Sequence, residues 1–196
     1  MGLEATTKGR IFAAARDLFD RQGVEGVSMR RIAQVVALTP MAIYRHYADK
    51  DALLDALMLD GFMAWEARVA AIQATEPLAW LGQLGVAYME FALGEPRRFE
   101  AAFLLPAQAA RRYPGDFAAG RSPVISMAMA HIERAKAAGL ITGEPLEIAL
   151  SFAALAQGLV SMYRAGRFAD ETKFRTAYEK AMAHCLRSFM TDGQGR

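Results

Sequence analysis

Two helical stretches, each too short to be stable alone, follow one another between Ser28 and Leu53. In the first, Met29, Ile32, Ala33 and Val36 recur at helical spacing and make one apolar face, which turns Arg30, Arg31 and Gln34 elsewhere. The second opens on Thr39 as N-cap with Pro40 at the first helical position, where a missing N–H costs nothing. Ile43 and Tyr47 are its inward anchors, and Thr39, Met41, Ala42, Tyr44, Arg45 and His46 are left for a partner. A pair of this kind, joined by a tight connection, is a helix-turn-helix, and it needs other helices to pack on.

The flanking sequence supplies them. A helix from Thr6 or Thr7 to Gly23 carries Ile11, Ala14, Ala15, Leu18 and Phe19 along one stripe, and Gly23 can end it in a left-handed conformation. Asp49 is placed to cap a long helix bearing Leu53, Leu54, Leu57, Met58, Phe62, Trp65, Val69 and Ile72. Further starts, each with proline in the first turn, stand at Thr75-Glu-Pro77, Gly94-Glu-Pro96, Ser122-Pro123 and Gly143-Glu-Pro145. They predict helices near 76–93, 95–104, 122–138 and 144–166. Pro106 and Pro114-Gly115 bracket a loop or broken helix over 105–120. A last helix, about 171–190, carries Phe174, Tyr178, Met182, Cys185 and Phe189 on one stripe, and residues 192–196 read as a frayed tail. With no strand-like alternation, the chain reads as all-α: a three-helix helix-turn-helix domain over 1–49, then, without a flexible linker, a helical domain over 50–196.

Charge is distributed unevenly along this plan. Net charge is only +2, but residues 1–50 hold eight Lys/Arg against five Asp/Glu, while 51–196 hold fifteen against sixteen. Between Ser28 and Lys50 stand Arg30, Arg31, Arg45 and Lys50 with one acid, Asp49. Short residues at the start of the second helix let it approach a groove floor, and the cations around it suit flanking phosphates, so double-stranded DNA is the partner these residues fit.

Ser28, Arg30, Ile32, Ala33, Tyr44, His46, Tyr47, Lys50 and Leu53 form a pattern that resembles the DNA-binding domain of tetracycline-repressor-type (TetR-family) transcriptional regulators. The resemblance covers roughly residues 7–60, with length, helical texture and the run Gly158–Arg167 agreeing beyond it. One departure stands at the turn, where Val36-Ala37-Leu38 replaces the usual Ala-Gly-Val, so an alanine occupies a position that glycine suits if φ is positive. The resemblance implies DNA contacts from Arg30, Thr39, Met41, Ala42, Tyr44, Arg45, His46 and Lys50. It also implies a carboxy-terminal domain that binds a small molecule and dimerises.

That second domain is rich in aromatic and methionine side chains, able to line an apolar pocket or simply to fill a core. The expected effector is a small hydrophobic compound contacted by Trp65, Tyr88, Phe103, Met127 and Phe152. A homodimer through the last two helices is expected because one short recognition helix reads only a few base pairs, whereas two related by a twofold axis read a pseudo-palindrome. Phe152, Leu155, Leu159 and Tyr163, with Phe174, Tyr178 and Met182, are the candidate interface unless spent inside the monomer.

Other chemistry finds no footing. There is no phosphate-cradling glycine loop, nucleophile elbow or His-Glu-x-x-His, so no catalytic residue and no cofactor is assigned. His46, His131 and His184 are far apart in sequence and lack ligands at metal spacing. The lone Cys185 reads as a small buried hydrophobe, and the absence of a leader or a long unbroken apolar run points to the cytoplasm and away from a membrane. The reading is a ligand-released repressor of a pseudo-palindromic operator; its alternatives are a helical enzyme or carrier for an apolar compound, and a ligand-blind DNA-binding protein.

Overall fold

The computed structural model describes residues 6–191. Helix α1 (Thr7–Gln22) begins where the Thr6 hydroxyl oxygen accepts the Gly9 N–H at 3.1 Å, and ends at Gly23, which takes φ +67° and donates to the Phe19 carbonyl at 2.7 Å. A 3₁₀ turn, Val24–Gly26, leads to α2 (Met29–Val35), α3 (Pro40–Tyr44) and the long α4 (Lys50–Ala70). There follow α5 (Pro77–Gly94), α6 (Pro96–Phe103), a single turn α7 (Gly115–Ala118), α8 (Pro123–Ala137), α9 (Pro145–Arg164) and α10 (Glu171–Ser188). No strand forms among the described residues; an isolated antiparallel bridge pairs Ile141 with Met190.

The proline-in-first-turn rule therefore located the start of every long helix after α4 except α10, which Asp170 caps by accepting the Lys173 N–H at 2.7 Å. Two ends differ from the sequence reading: α4 stops before Ile72, and α10 stops at Ser188, where the backbone turns into the bridge. The expected tail over 192–196 lies outside the described residues.

By packing, the chain forms two units. The first takes the chain through Trp65 together with Glu95–Ala110. Ile11, Phe19, Ile32, Ile43 and Leu53 are fully buried in its core, each worth about 1.5–3 kcal/mol of transfer free energy. Helix α6 lies in this unit because α4 has no side chain at Gly61. A Cβ there would stand 2.7 Å from the Arg98 carbonyl oxygen and 2.9 Å from the Ala102 nitrogen, so the two helices meet backbone to backbone. Arg98 then reaches Glu95 at 2.8 Å and Asp60 at 3.6 Å, and Arg97 donates to the Asp20 carbonyl at 3.2 Å. After α6, Gln108 donates to Asp51 at 2.8 Å and the Ala109 N–H to Asp55 at 3.0 Å, fastening the chain to the first turns of α4.

The second unit holds Glu66–Gly94 and the chain from Arg111 onward. Phe91, Ile132, Phe174 and Tyr178 are buried in it. Tyr178 donates its hydroxyl proton to the Gly85 carbonyl at 2.8 Å, and a Cβ on Gly85 would press on the Phe152 ring at 3.2 Å, so α5, α9 and α10 close around that glycine. Burial pushes the Tyr88 and Tyr178 hydroxyls far above their ordinary range, and both remain donors.

This packing corrects two expectations. Phe152, Phe174, Tyr178 and Met182 are buried within the unit, so they belong to its core and not to an outward face; Leu155, Leu159 and Tyr163 are half-buried. Cys185 is half-buried, one turn past Met182 toward the open side of α10, with its thiol pushed up by burial.

Candidate nucleic-acid interface

The amino-terminal end of each of α2 and α3 is fixed by a local bond. The Ser28 hydroxyl oxygen accepts the Arg31 N–H at 3.3 Å, and the Thr39 hydroxyl oxygen accepts the Ala42 N–H at 3.2 Å, with Pro40 in the first helical position. Between them Ala37 takes φ +56°, a left-handed conformation that costs a residue with a Cβ, and the Leu38 N–H returns to the Ala33 carbonyl at 2.9 Å. Arg10 braces the same turn by donating to the Val36 carbonyl at 3.0 Å, where an exposed helix C-terminus favours a cation. Ile43 and Tyr47 point inward; Lys8 lies 5.4 Å over the Tyr47 ring, and burial raises the Tyr47 hydroxyl's pKa. Asp49 accepts the Ala52 N–H at 2.8 Å and opens α4.

With Ile43 and Tyr47 inward, the other side of α3 is free. Met41 is 69% exposed and Tyr44 46%, Thr39, Arg45 and His46 are exposed, and Ala42 is half-exposed. Arg30 is exposed on α2, and Lys50, half-exposed, starts α4. Arg30, Arg45 and Lys50 form no ion pair among the described residues. The eight residues named from sequence thus belong to one continuous segment whose polar and apolar side chains reach solvent. Sequence reasoning passed over Val35, exposed on α2, although its place outside the Met29–Ile32–Ala33–Val36 stripe signalled it. It also passed over Lys8 and Arg10, whose roles depend on contacts with residues distant in sequence.

Two family models match this chain. Bacterial regulatory proteins of the tetR family match residues 11–57, and a tetracyclin repressor-like C-terminal domain matches residues 81–189. The chain belongs to the TetR family. Over 53 residues it is 38% identical to the HTH-type transcriptional regulator UidR of Escherichia coli K12, a match that covers 27% of each chain, so the chain matches only about a quarter of that relative's length. The tetracycline repressor protein class A from transposon 1721 of Escherichia coli is 26% identical over 80% of this chain and 66% of its own length. A solved structure from Rhodococcus sp. RHA1, a protein with unknown function, superposes with a TM-score of 0.75 at 25% identity, over 95% of this chain and 96% of that one.

In this TetR-family chain the five expected effector contacts are divided between the two units. Trp65 and Phe103 lie in the first unit with their rings 6.1 Å apart, edge to face, and Phe62 stands 5.5 Å from Phe103. Tyr88, Met127 and Phe152 lie in the second, where Tyr88 donates to the Gln157 side-chain oxygen and Phe152 packs at Gly85. His131 stacks on Trp80 with ring centres 4.1 Å apart, its Nδ1 buried without a partner, and burial followed by the charge of Arg134 lowers its pKa. In the first unit, a charged cleft of about 360 Å³ is lined by Arg16, Asp20, Glu95, Pro96, Arg97 and Arg98. Arg98 pairs with Glu95, and Arg16 and Arg98 with Asp60; burial raises the pKa of Asp20 despite the arginines nearby. Among the described residues no group of His, Cys, Asp and Glu is arranged to hold a metal ion.

Proposed function

We propose that the regulator is a homodimeric repressor, released from a pseudo-palindromic operator by a small hydrophobic effector. The observation that carries the DNA part is the outward, unpaired cationic and apolar face from Thr39 to Lys50, with Arg30 beside it on α2. Arg30, Thr39, Met41, Ala42 and Tyr44 meet the bases or their flanking phosphates, while Arg45, His46 and Lys50 hold the backbone. If each subunit neutralises about four phosphates, the logarithm of affinity falls with the logarithm of salt at a slope of about −7. A slope near zero would refute the electrostatic part. Tyr44→Ala and Lys50→Ala weaken DNA binding and leave the oligomeric state unchanged; full affinity in both would remove their assignment.

Dimerisation is supported by α9. This helix is long and apolar enough, by composition alone, to cross a membrane, yet only 28% of that stretch is buried within the chain. Its uncovered side carries Leu150, Ala154, Gly158 and Met162 four residues apart, a stripe that a second copy of the same helix can cover. For the effector, Trp65, Tyr88, Phe103, Met127 and Phe152 remain the assigned contacts, on the strength of their apolar and adaptable surfaces. Quenching of Trp65 or Trp80 emission by candidate compounds screens for it, and a compound that binds without altering DNA affinity would favour a ligand-blind regulator. The cytoplasm is the compartment this function requires.

A further inference from the structure

The face that α3 turns outward is cationic at its edges and apolar at its tip. Pro40 has no N–H, Met41 offers only a thioether and methylenes, and Ala42 offers a methyl group. The Thr39 hydroxyl oxygen is already accepting the Ala42 N–H. Beyond this tip in the chain come Arg45, exposed, and Lys50, half-exposed, cations suited to phosphates, and the tip itself lacks the paired donors and acceptors used for hydrogen-bonded base reading. On the floor of a major groove the apolar group that bases present is the 5-methyl of thymine.

We infer that α3 reads its operator through thymine methyl groups, with Met41 as the side chain that senses them and Ala42 short enough to let it approach. The inference rests on the DNA-binding reading above and specifies what that site recognises. A methionine 69% exposed, with no protein side to pack on, gains the burial it lacks when its flexible thioether arm closes over a methyl. Hydrogen-bonded selection then falls to Arg30 and Gln34, exposed one turn apart on α2, and to the Tyr44 hydroxyl.

The test uses the full chain and duplexes enriched by it from a random library. Each thymine of the best duplex is replaced in turn by deoxyuridine, which removes the methyl and keeps every hydrogen-bonding group. One or two positions in each half-site should lose affinity about fourfold, the factor expected for one methyl-sized group returned to water. In Met41→Ala, a change on a solvent-exposed side chain, the same replacements should cost less than about twofold, because the surface that covered the methyl is gone. A deoxyuridine scan flat at every thymine, or enriched half-sites without thymine, overturns the proposal while leaving DNA binding intact. Unchanged deoxyuridine sensitivity in Met41→Ala overturns the role given to that residue. Failure to enrich any duplex overturns the DNA-binding reading itself, and this one with it.

Discussion

Ala37 holds a backbone conformation, φ +56°, in which its Cβ crowds the following carbonyl, and the turn keeps it there because Val36 and Leu38 are tied on either side. Replacing it by glycine removes the crowding at some cost in unfolded-chain entropy, so Ala37→Gly should raise stability by about 0.5–1 kcal/mol, read as a higher urea midpoint at unchanged slope. A lower midpoint would mean that the alanine methyl packs better than its backbone suffers. The sequence signalled this strain only through the resemblance, because the family pattern usually has glycine where Ala37 stands. The surroundings of His131 were not legible, because its stacking partner Trp80 comes from another helix. Burial lowers the His131 pKa below that of the unfolded chain, so the unfolded state takes up a proton first as pH falls. Its contribution is complete above the unfolded value of about 6.5 and is lost below it, down through the folded pKa. Melting temperature should therefore fall as pH drops below about 6.5 in the wild type and fall less in His131→Phe; parallel profiles would show that the histidine carries none of the loss.

At the scale of elements, what could be read in advance was whatever depends on neighbours in sequence. Thr39, Asp49 and Asp170 bond residues three positions on, and the helices begin where those caps and the prolines stand. The membership of α6 in the first unit was not readable, because it hangs on the missing side chain of Gly61 and on the reach of Arg97 and Arg98 to α1 and α4. The same limit explains the aromatic residues of α9 and α10: their periodicity marked a buried stripe without saying which neighbour buries it. Gly158 makes the uncovered stripe testable. A glycine inside an exposed helix sacrifices about 0.8–1 kcal/mol relative to alanine, and a Cβ there meets nothing within 4 Å in the monomer. Gly158→Ala should stabilise the monomer by that amount and weaken self-association, because the added methyl stands where the partner helix approaches. Sedimentation equilibrium reads the second effect, and unaltered association would take Gly158 out of the interface.

For the whole molecule, the proposed function is a coupling between effector binding and what α3 reads, and linkage fixes its arithmetic without any assumption about the path. An effector that releases the operator with a coupling of about 1–3 kcal/mol lowers DNA affinity some 5- to 150-fold, and DNA must lower effector affinity by the same factor. The two tryptophans, one buried in each unit, supply the signal. Once a compound quenches either of them, its dissociation constant is measured with the free protein and again with the protein saturated by its enriched duplex. The duplex affinity is then measured with and without saturating compound, and the two ratios should agree within error. A compound that binds and leaves both ratios at one would be a ligand without a regulatory role, and a series of such compounds would make this a DNA-binding protein whose second unit serves assembly alone. Agreement of the ratios above fivefold establishes the effector reading, and Met41→Ala should leave the ratio unchanged while lowering every duplex affinity, because the side chain lies at the DNA and takes no part in the coupling.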